Sequence, residues 1–320
     1  INVTSIIKPV SSNGTPRVVA YGSFYDSLDP RDQPSLAIAG QGNPELGGAL
    51  GIIVTLLLLP LLAAGYTLAI ADTEGQQAAF AAGPEYGFNT LDGIRAAFNA
   101  PATGLTGGTK VALMGYSGGA IATEWAAELA PEYAPDVNAR LIGAALGGVL
   151  VHPAHNLFYI EGSQIWAGVM PMALVGIARA FDLDLSQYMS PYGRQLYDTK
   201  QDASIVDALF QYPGLTWSQI VSAKWPAPEN IEIFVNTANK LIMGTWGTPT
   251  VPMMVYQGAH GEDEGTPADP VYGSGDGVMV AGDVRSLVRP YCDAGLRILH
   301  KQIDDKSHVT AAIPWREDEI

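Results

Sequence analysis

The chain has 320 residues and a mass of 33.8 kDa, is 48% hydrophobic and only 15% charged, and carries a formal net charge of −15. This excludes a disordered chain, which would be poor in apolar residues, and makes nucleic acid an unexpected partner, because so acidic a surface repels phosphate backbones. One cysteine, Cys292, excludes an intrachain disulfide or thiolate cage, and the five histidines show no close ligand spacing, so no metal or other cofactor is expected.

The first residue is Ile1 rather than Met, and no signal peptide precedes the first strand. A processed or partly observed polypeptide is the expectation, which leaves compartment open. Asn2-Val3-Thr4 and Asn13-Gly14-Thr15 fit the glycan-acceptor pattern, a tripeptide common by chance. Arg17 to Tyr21 reads as a short strand. From Gly47 to Ala71 there are 25 residues without a charge, enough to span a bilayer. Pro60 and Gly65 interrupt that run, however, and Tyr66 to Ala71 reads as a buried strand ending at Asp72. A helix packed on a parallel sheet, then a central strand, accounts for it better than a transmembrane span.

Thr90 to Ala100 reads as a helix with Leu91, Ile94 and Phe98 at spacings of three and four. Lys110 to Met114 is a strand, Gly118 to Ala134 a helix with Ile121, Trp125 and Leu129 on one face, and Leu141 to Leu146 another strand. Alternation of this kind predicts an α/β fold: a mostly parallel sheet flanked by helices. After Gly147-Gly148 the character changes. Residues 154–247 are rich in aromatics and methionine at helical spacing, which predicts a helical cap inserted into a core made of residues 1–153 and 248–320. Ordinary helical packing is the bland reading for any one aromatic there. Trp166, Met170, Phe181, Phe210 and Trp217 are nevertheless the candidates for a substrate wall. Strand patterns resume at Val251 to Gln257 and Leu296 to Ile303, separated by a long glycine-rich loop, Gly261 to Gly277.

Gly115-Tyr116-Ser117-Gly118-Gly119 matches G-x-S-x-G between a strand and a helix, the setting a nucleophile elbow requires. The bland alternative is a glycine-rich turn with an incidental serine. A serine hydroxyl needs a base, and the base an acid to orient it; on this fold the chain order is Ser, acid, His. His308 follows the last strand and precedes a helix, whereas His152 and His155 come too early, His260 sits where the acid is expected, and His300 lies inside a strand. The acid is less determined: Asp263 is nearer the preceding strand, and Asp276 lies in Gly275-Asp276-Gly277-Val278 before a helix starting near Asp283. Gly118 is the expected first oxyanion donor. The second could come from Asp72, after its strand, or from the Tyr21-Gly22-Ser23 turn.

Taken together, these residues resemble the secretory lipases of yeasts, filamentous fungi and actinobacteria. The resemblance rests on Gly115 to Ala120, Ala122 to Leu129, Tyr133-Ala134-Pro135 and Gly143 to Gly148. Upstream, Asp72 to Gly75, Ala79-Phe80, and Leu91 to Ala96 carry it further. It implies an α/β-hydrolase with a helical lid, acting on acylglycerols and other carboxylic esters. It implies Ser117 as nucleophile, His308 as base, Asp276 as acid, and Asp72 and Gly118 as oxyanion donors. It also implies secretion and contact with lipid. Against the family pattern the chain is expected to start after the first strands, and the loop before Asp276 is longer. The expected function is therefore a serine ester hydrolase, a lipase or carboxylesterase. The rivals are an esterase that deacetylates small molecules and a non-catalytic binding protein on the same fold.

Overall fold

A computed structural model describes residues 2–10 and 14–319, apart from the side chains at 51, 52, 55 and 319. Asn13, which opens one glycan-acceptor tripeptide, lies outside the described residues. The strands are β1 (Thr4–Ile7), β2 (Arg17–Gly22), β3 (Tyr66–Ala71), β4 (Lys110–Tyr116), β5 (Leu141–Gly147), β6 (Met253–Gly258) and β7 (Ile298–Ile303). Between β2 and β3 lie α1 (Pro34–Ile38), α2 (Leu46–Leu57) and α3 (Leu59–Ala63). Next, α4 (Gly83–Asn99) joins β3 to β4, and α5 (Gly118–Tyr133) with the short α6 (Pro135–Asn138) joins β4 to β5. The long connection from β5 to β6 holds α7 (Pro153–Ile160), α8 (Val169–Phe181), α9 (Pro191–Thr199), α10 (Trp217–Ile220) and α11 (Glu232–Ala238). Finally, α12 (Ala281–Asp293) joins β6 to β7, and α13 (His308–Glu319) follows β7.

The seven strands form one sheet in the order β1-β3-β2-β4-β5-β6-β7, parallel except for β1. Alternate side chains serve opposite faces. In β2, Val18 and Ala20 join the core beneath α4, α5 and α12, while Val19 and Tyr21 join the one beneath α2, α3 and α13. Leu91 and Ile94 of α4, Trp125 of α5 and Leu287 of α12 fill the first; Val54, Leu61 and Trp315 fill the second. The segment from α7 to α11 adds no strand to the sheet and has its own apolar cluster, around Met170, Met172 and Trp217. No described helix is long and apolar enough to cross a membrane; the uncharged run from Gly47 is α2, α3 and then β3.

Two elements differ from the sequence reading. The strand β1 is unannounced because its four residues are all half-buried at the sheet edge, with no alternation to read. The helix α4 starts at Gly83-Pro84, seven residues before Thr90. Its early glycines read as loop, yet a Cβ at Gly83 or Gly87 would collide with Trp125 of α5. They are there to let two helices touch. Proline at the second helical position suits a helix start, since its missing N–H has no acceptor there.

All the parallel strands end at one edge of the sheet. In open α/β sheets that edge is where ligands bind.

Candidate active site

Ser117 follows β4 directly and stands at the start of α5, with φ 55° and ψ −123°. A residue with a Cβ holds that backbone only under constraint. The constraint is visible: Ser117 N–H donates to the Gly147 carbonyl at 2.9 Å on the neighbouring strand end. A Cβ on Gly115 or Gly119 would collide with backbone of Gly119 or Gly22 respectively, so only glycines let α5 start this close to β2 and β4.

His308 opens α13 and is buried, with Nε2 2.8 Å from Ser117 Oγ and Nδ1 2.8 Å from Asp276 Oδ2. Asp276 is fully buried and held from three further sides. Gln257 Nε2 donates to its Oδ2 at 2.8 Å, and the N–H groups of Val278 and Met279 donate to Oδ1 at 3.0 and 2.7 Å. The backbone is tied as well, because His308 N–H donates to the Asp276 carbonyl at 2.6 Å and Tyr116 Oη to the His308 carbonyl at 2.6 Å. Burial alone would lower the His308 pKa. The Asp276 charge and hydrogen bond, with Glu264 and Asp26 adding to them, outweigh it and raise the value above the usual 6.5. Glu264 also braces the wall of the site, accepting from Trp166 Nε1 and from Val309 N–H, both at 2.8 Å.

Of the two candidate acids, then, the imidazole faces Asp276. Asp263 is exposed and lies 3.4 Å from His260 instead. His155 stacks on His152 and bonds to Asp283 at 2.9 Å, and His300 is half-buried in β7. Among the described residues, no group of three or more His, Cys, Asp or Glu is arranged to hold a metal ion.

One expected donor is displaced. Asp72 N–H donates to the Val3 carbonyl at 3.0 Å and its carboxylate accepts from Ser35, so neither is offered to a ligand at Ser117. Asp26, four residues past β2, stands there instead. A Cβ on Gly118 would collide with Asp26 Oδ1, which is buried and makes no hydrogen bond. Burial pushes the Asp26 pKa up to about 7, against the lowering pull of His308 and of its own backbone N–H. Its loop is anchored by buried Glu74, whose carboxylate accepts from Ser27 N–H at 3.2 Å and Tyr86 Oη at 2.9 Å. Gly118, as expected, opens α5, where the first N–H groups have no acceptor within the helix.

Two apolar cavities meet at Ser117. One runs between sheet and helical segment, past Trp166, Met170, Ala173, Ile177 and Phe234. The other lies towards α2 and α13, beside Leu50, Leu58, Leu209 and Val309. Of the five proposed wall residues, Trp166 lines both cavities and Met170 the first. The other three line neither. Phe181 sits under Lys240, Trp217 packs on Phe234 in the segment's own core, and Phe210 is exposed. Phe80, Ile121 and Met279 line the first cavity from outside the helical segment.

A strained serine between strand and helix, with imidazole and buried carboxylate at the carboxyl edge of a parallel sheet, defines an α/β-hydrolase arrangement. The chain belongs to the secretory lipase family, which it matches over residues 49–314. It is 37% identical to lipase 1 of Candida albicans over 333 residues, covering 98% of this chain and 67% of that protein. It is 30% identical to a trichothecene C-3 esterase of Fusarium sporotrichioides over 310 residues, covering 92% and 64%. The structure superposes on Candida antarctica lipase A in its closed state with a TM-score of 0.78 at 24% identity, over 98% of this chain and 70% of that one. The chain spans about two thirds of the length of the curated relatives it matches, 65% for lipase 5 of Candida albicans.

Proposed function

We propose that this chain is a serine ester hydrolase that cleaves carboxylic esters with apolar acyl groups, acylglycerols among them. The observation that carries the reading is the relay from Asp276 through His308 to Ser117, 2.8 Å at each step, at the junction of two apolar cavities. Ser117 Oγ attacks the ester carbonyl as His308 Nε2 takes its proton. The tetrahedral intermediate then collapses, the alcohol leaves with that proton, and the acyl group stays on Ser117. Water, deprotonated by the same imidazole, releases the acid. Asp276 keeps the proton on Nδ1 and stabilises the imidazolium. The oxyanion is held by Gly118 N–H and, in this reading, by the carboxyl of Asp26, whose pKa, pushed by burial up to about 7, leaves a protonated donor there below neutral pH.

Residues 154–247 serve as the lid over a core of 1–153 and 248–320, and give the acyl chain its wall. An apolar chain is recognised by burial, so aliphatic lining suffices. Secretion and contact with lipid are part of this proposal, and membership in the secretory lipase family supports them. A second reading, deacetylation of a small molecule, is favoured by the similarity to the Fusarium esterase. A series of esters from acetyl to long-chain separates the two, with Ser117→Ala as control. The lipase reading expects kcat/KM to rise with chain length and Ser117→Ala to lose on the order of 10⁶ in rate. Preference for acetyl esters would favour the second reading, and a Ser117→Ala chain keeping a tenth of the activity would remove both.

A further inference from the structure

The loop that carries Asp26 is held by the helical segment as well as by the core. Asp26 has φ 34°, a backbone that a residue with a Cβ keeps only under constraint. On one side, Ser27 N–H donates to the buried Glu74 carboxylate at 3.2 Å. On the other, residues 203–205 run antiparallel to the loop, with Ser27 paired to Ser204. Leu28 N–H donates to the Ala203 carbonyl at 2.9 Å, and Ile205 N–H donates to the Asp26 carbonyl at 2.8 Å. Arg179 of α8 adds a third tie, donating from Nη1 to the Leu28 carbonyl at 2.7 Å.

The grip on Asp26 is itself rigid. Ile205 opens a single helical turn, Ile205–Asp207, whose first N–H groups find no acceptor inside the turn. Ser204 caps that turn, its Oγ and N–H both donating to Asp207 Oδ2, at 2.6 and 2.9 Å. Ser204 is buried against α2, where a Cβ on Gly47 would collide with it. The Ile205 side chain lines both cavities. One residue therefore touches the space for the ester with its side chain and the loop of the oxyanion donor with its main chain. Such a donor works within about 2.7–3.1 Å of the developing charge, and misplacement by about an ångström can cost about 10² in rate.

We infer that Ile205 is a positioning residue for the reaction: its N–H fixes the backbone of Asp26, and so the carboxyl that meets the oxyanion. This rests on the part given to Asp26 in the hydrolase reading above. The main chain of the helical segment, unlike the side chains along its cavity, then bears on turnover itself.

Ile205→Pro removes the N–H without forcing the backbone. Ser204 is extended, with φ −86° and ψ 169°, as a residue before proline prefers, and proline suits the first position of a helical turn. Ile205→Ala shortens the side chain and keeps the N–H, so the pair isolates the hydrogen bond. On a soluble acetyl ester, Ile205→Pro should have a kcat at least about tenfold below that of Ile205→Ala, with KM within about twofold. In an Asp26→Leu background the same pair should differ by less than about twofold, since the donor being positioned is gone. Equal kcat for the pair with Asp26 present would overturn the inference. An equal loss in both backgrounds would overturn it too, as damage to the fold at large. If Ile205→Pro shows no thermal unfolding transition, Ser204→Ala decides. It opens the cap, leaves every cavity-lining side chain in place, and should lower kcat about threefold or more with Asp26 present and not with Asp26→Leu. Unchanged kcat there would overturn the inference. The reading beneath it fails differently. An Asp26→Leu chain as active as the unmodified one removes Asp26 from the reaction, no turnover by the unmodified chain removes the hydrolase, and either takes the role of Ile205 with it.

Discussion

Two regions meet at Ser117 and are built to different tolerances. At the carboxyl edge of the sheet, the relay's atoms are fixed from several sides: the Asp276 carboxylate accepts four hydrogen bonds at 2.7 to 3.0 Å, and the His308 backbone is pinned at both its N–H and its carbonyl. Across the cavity, the helical segment presents Met170, Ala173, Ile177 and Phe234, side chains with no partner to find. Proton transfer fails when a donor moves by about an ångström, whereas burial of an acyl chain needs only apolar area. Damage to the first region should be steep and indifferent to substrate. Damage to the second should be shallow and graded with the substrate.

The largest expected contrast lies within the acidic loop. Asp276→Asn should cost about 10⁴ in kcat, because asparagine stabilises the wrong imidazole tautomer and not the imidazolium. Asp263→Asn, exposed and paired with His260, should stay within about twofold of the unmodified chain, as surface changes do. Steady-state kinetics on one soluble ester compares them, and reversed effects would put the acid at Asp263.

Asp26 comes next. Asp26→Leu removes the proposed second oxyanion donor and should lower kcat by about 10² to 10³. Asp26→Asn keeps a donor that cannot ionise, so it should retain far more activity and lose any decline in rate as pH rises through about 7. Equal activity in all three proteins would assign the Asp26 carboxyl no part in the reaction.

In the helical segment the effect should depend on the ester. Ile177 lines the first cavity and is half-buried. Ile177→Ser should reduce kcat/KM for long-chain esters and spare acetyl esters, with a ceiling of about 0.8 kcal/mol per methylene that loses apolar cover. A uniform loss across the ester series would make the segment a support for the fold rather than a wall of the site.

The smallest effect is on stability. Asp26, Glu74 and Glu124 are buried carboxyls whose pKa values are raised by desolvation, Asp26 to about 7 and the glutamates well above their usual 4.5. The folded chain therefore holds more protons than the unfolded chain from about pH 4 upward, and stability must fall as pH rises through that window. His308, with its raised value, adds a loss in the same direction above 6.5. A lower Tm at pH 8 than at pH 5 is expected, and a higher one would contradict these assignments.

How much of this was legible in the sequence follows from the range of each signal. The elbow is local: a strand, five residues and a helix carry it, and His308 is marked by its place after the last strand. The acid was ambiguous because two aspartates share one long loop, and only the fold back to Gln257 and His308 separates them. Asp72 carries a sound local signal, as the residue after a strand end, but the local signal does not contain strand order. Because β2 and not β3 lies beside β4, the loop that reaches Ser117 is the one after β2, and Asp26 stands three residues past the Tyr21-Gly22-Ser23 turn. Strand order is a long-range property that periodicity does not encode. The same holds for the cavity lining: composition singles out residues 154–247, but which of their side chains reach Ser117 depends on how each short helix docks, and Trp217 and Phe234 pack against each other.

Ser117 should behave as an activated nucleophile at the end of an apolar passage. Incubation of the intact protein with a long-chain alkyl fluorophosphonate, followed by mass measurement and peptide mapping, tests both halves at once. A single adduct on Ser117 is expected, formed faster than with a short-chain probe and abolished by Ser117→Ala. No adduct, or an adduct on any other residue, would contradict it.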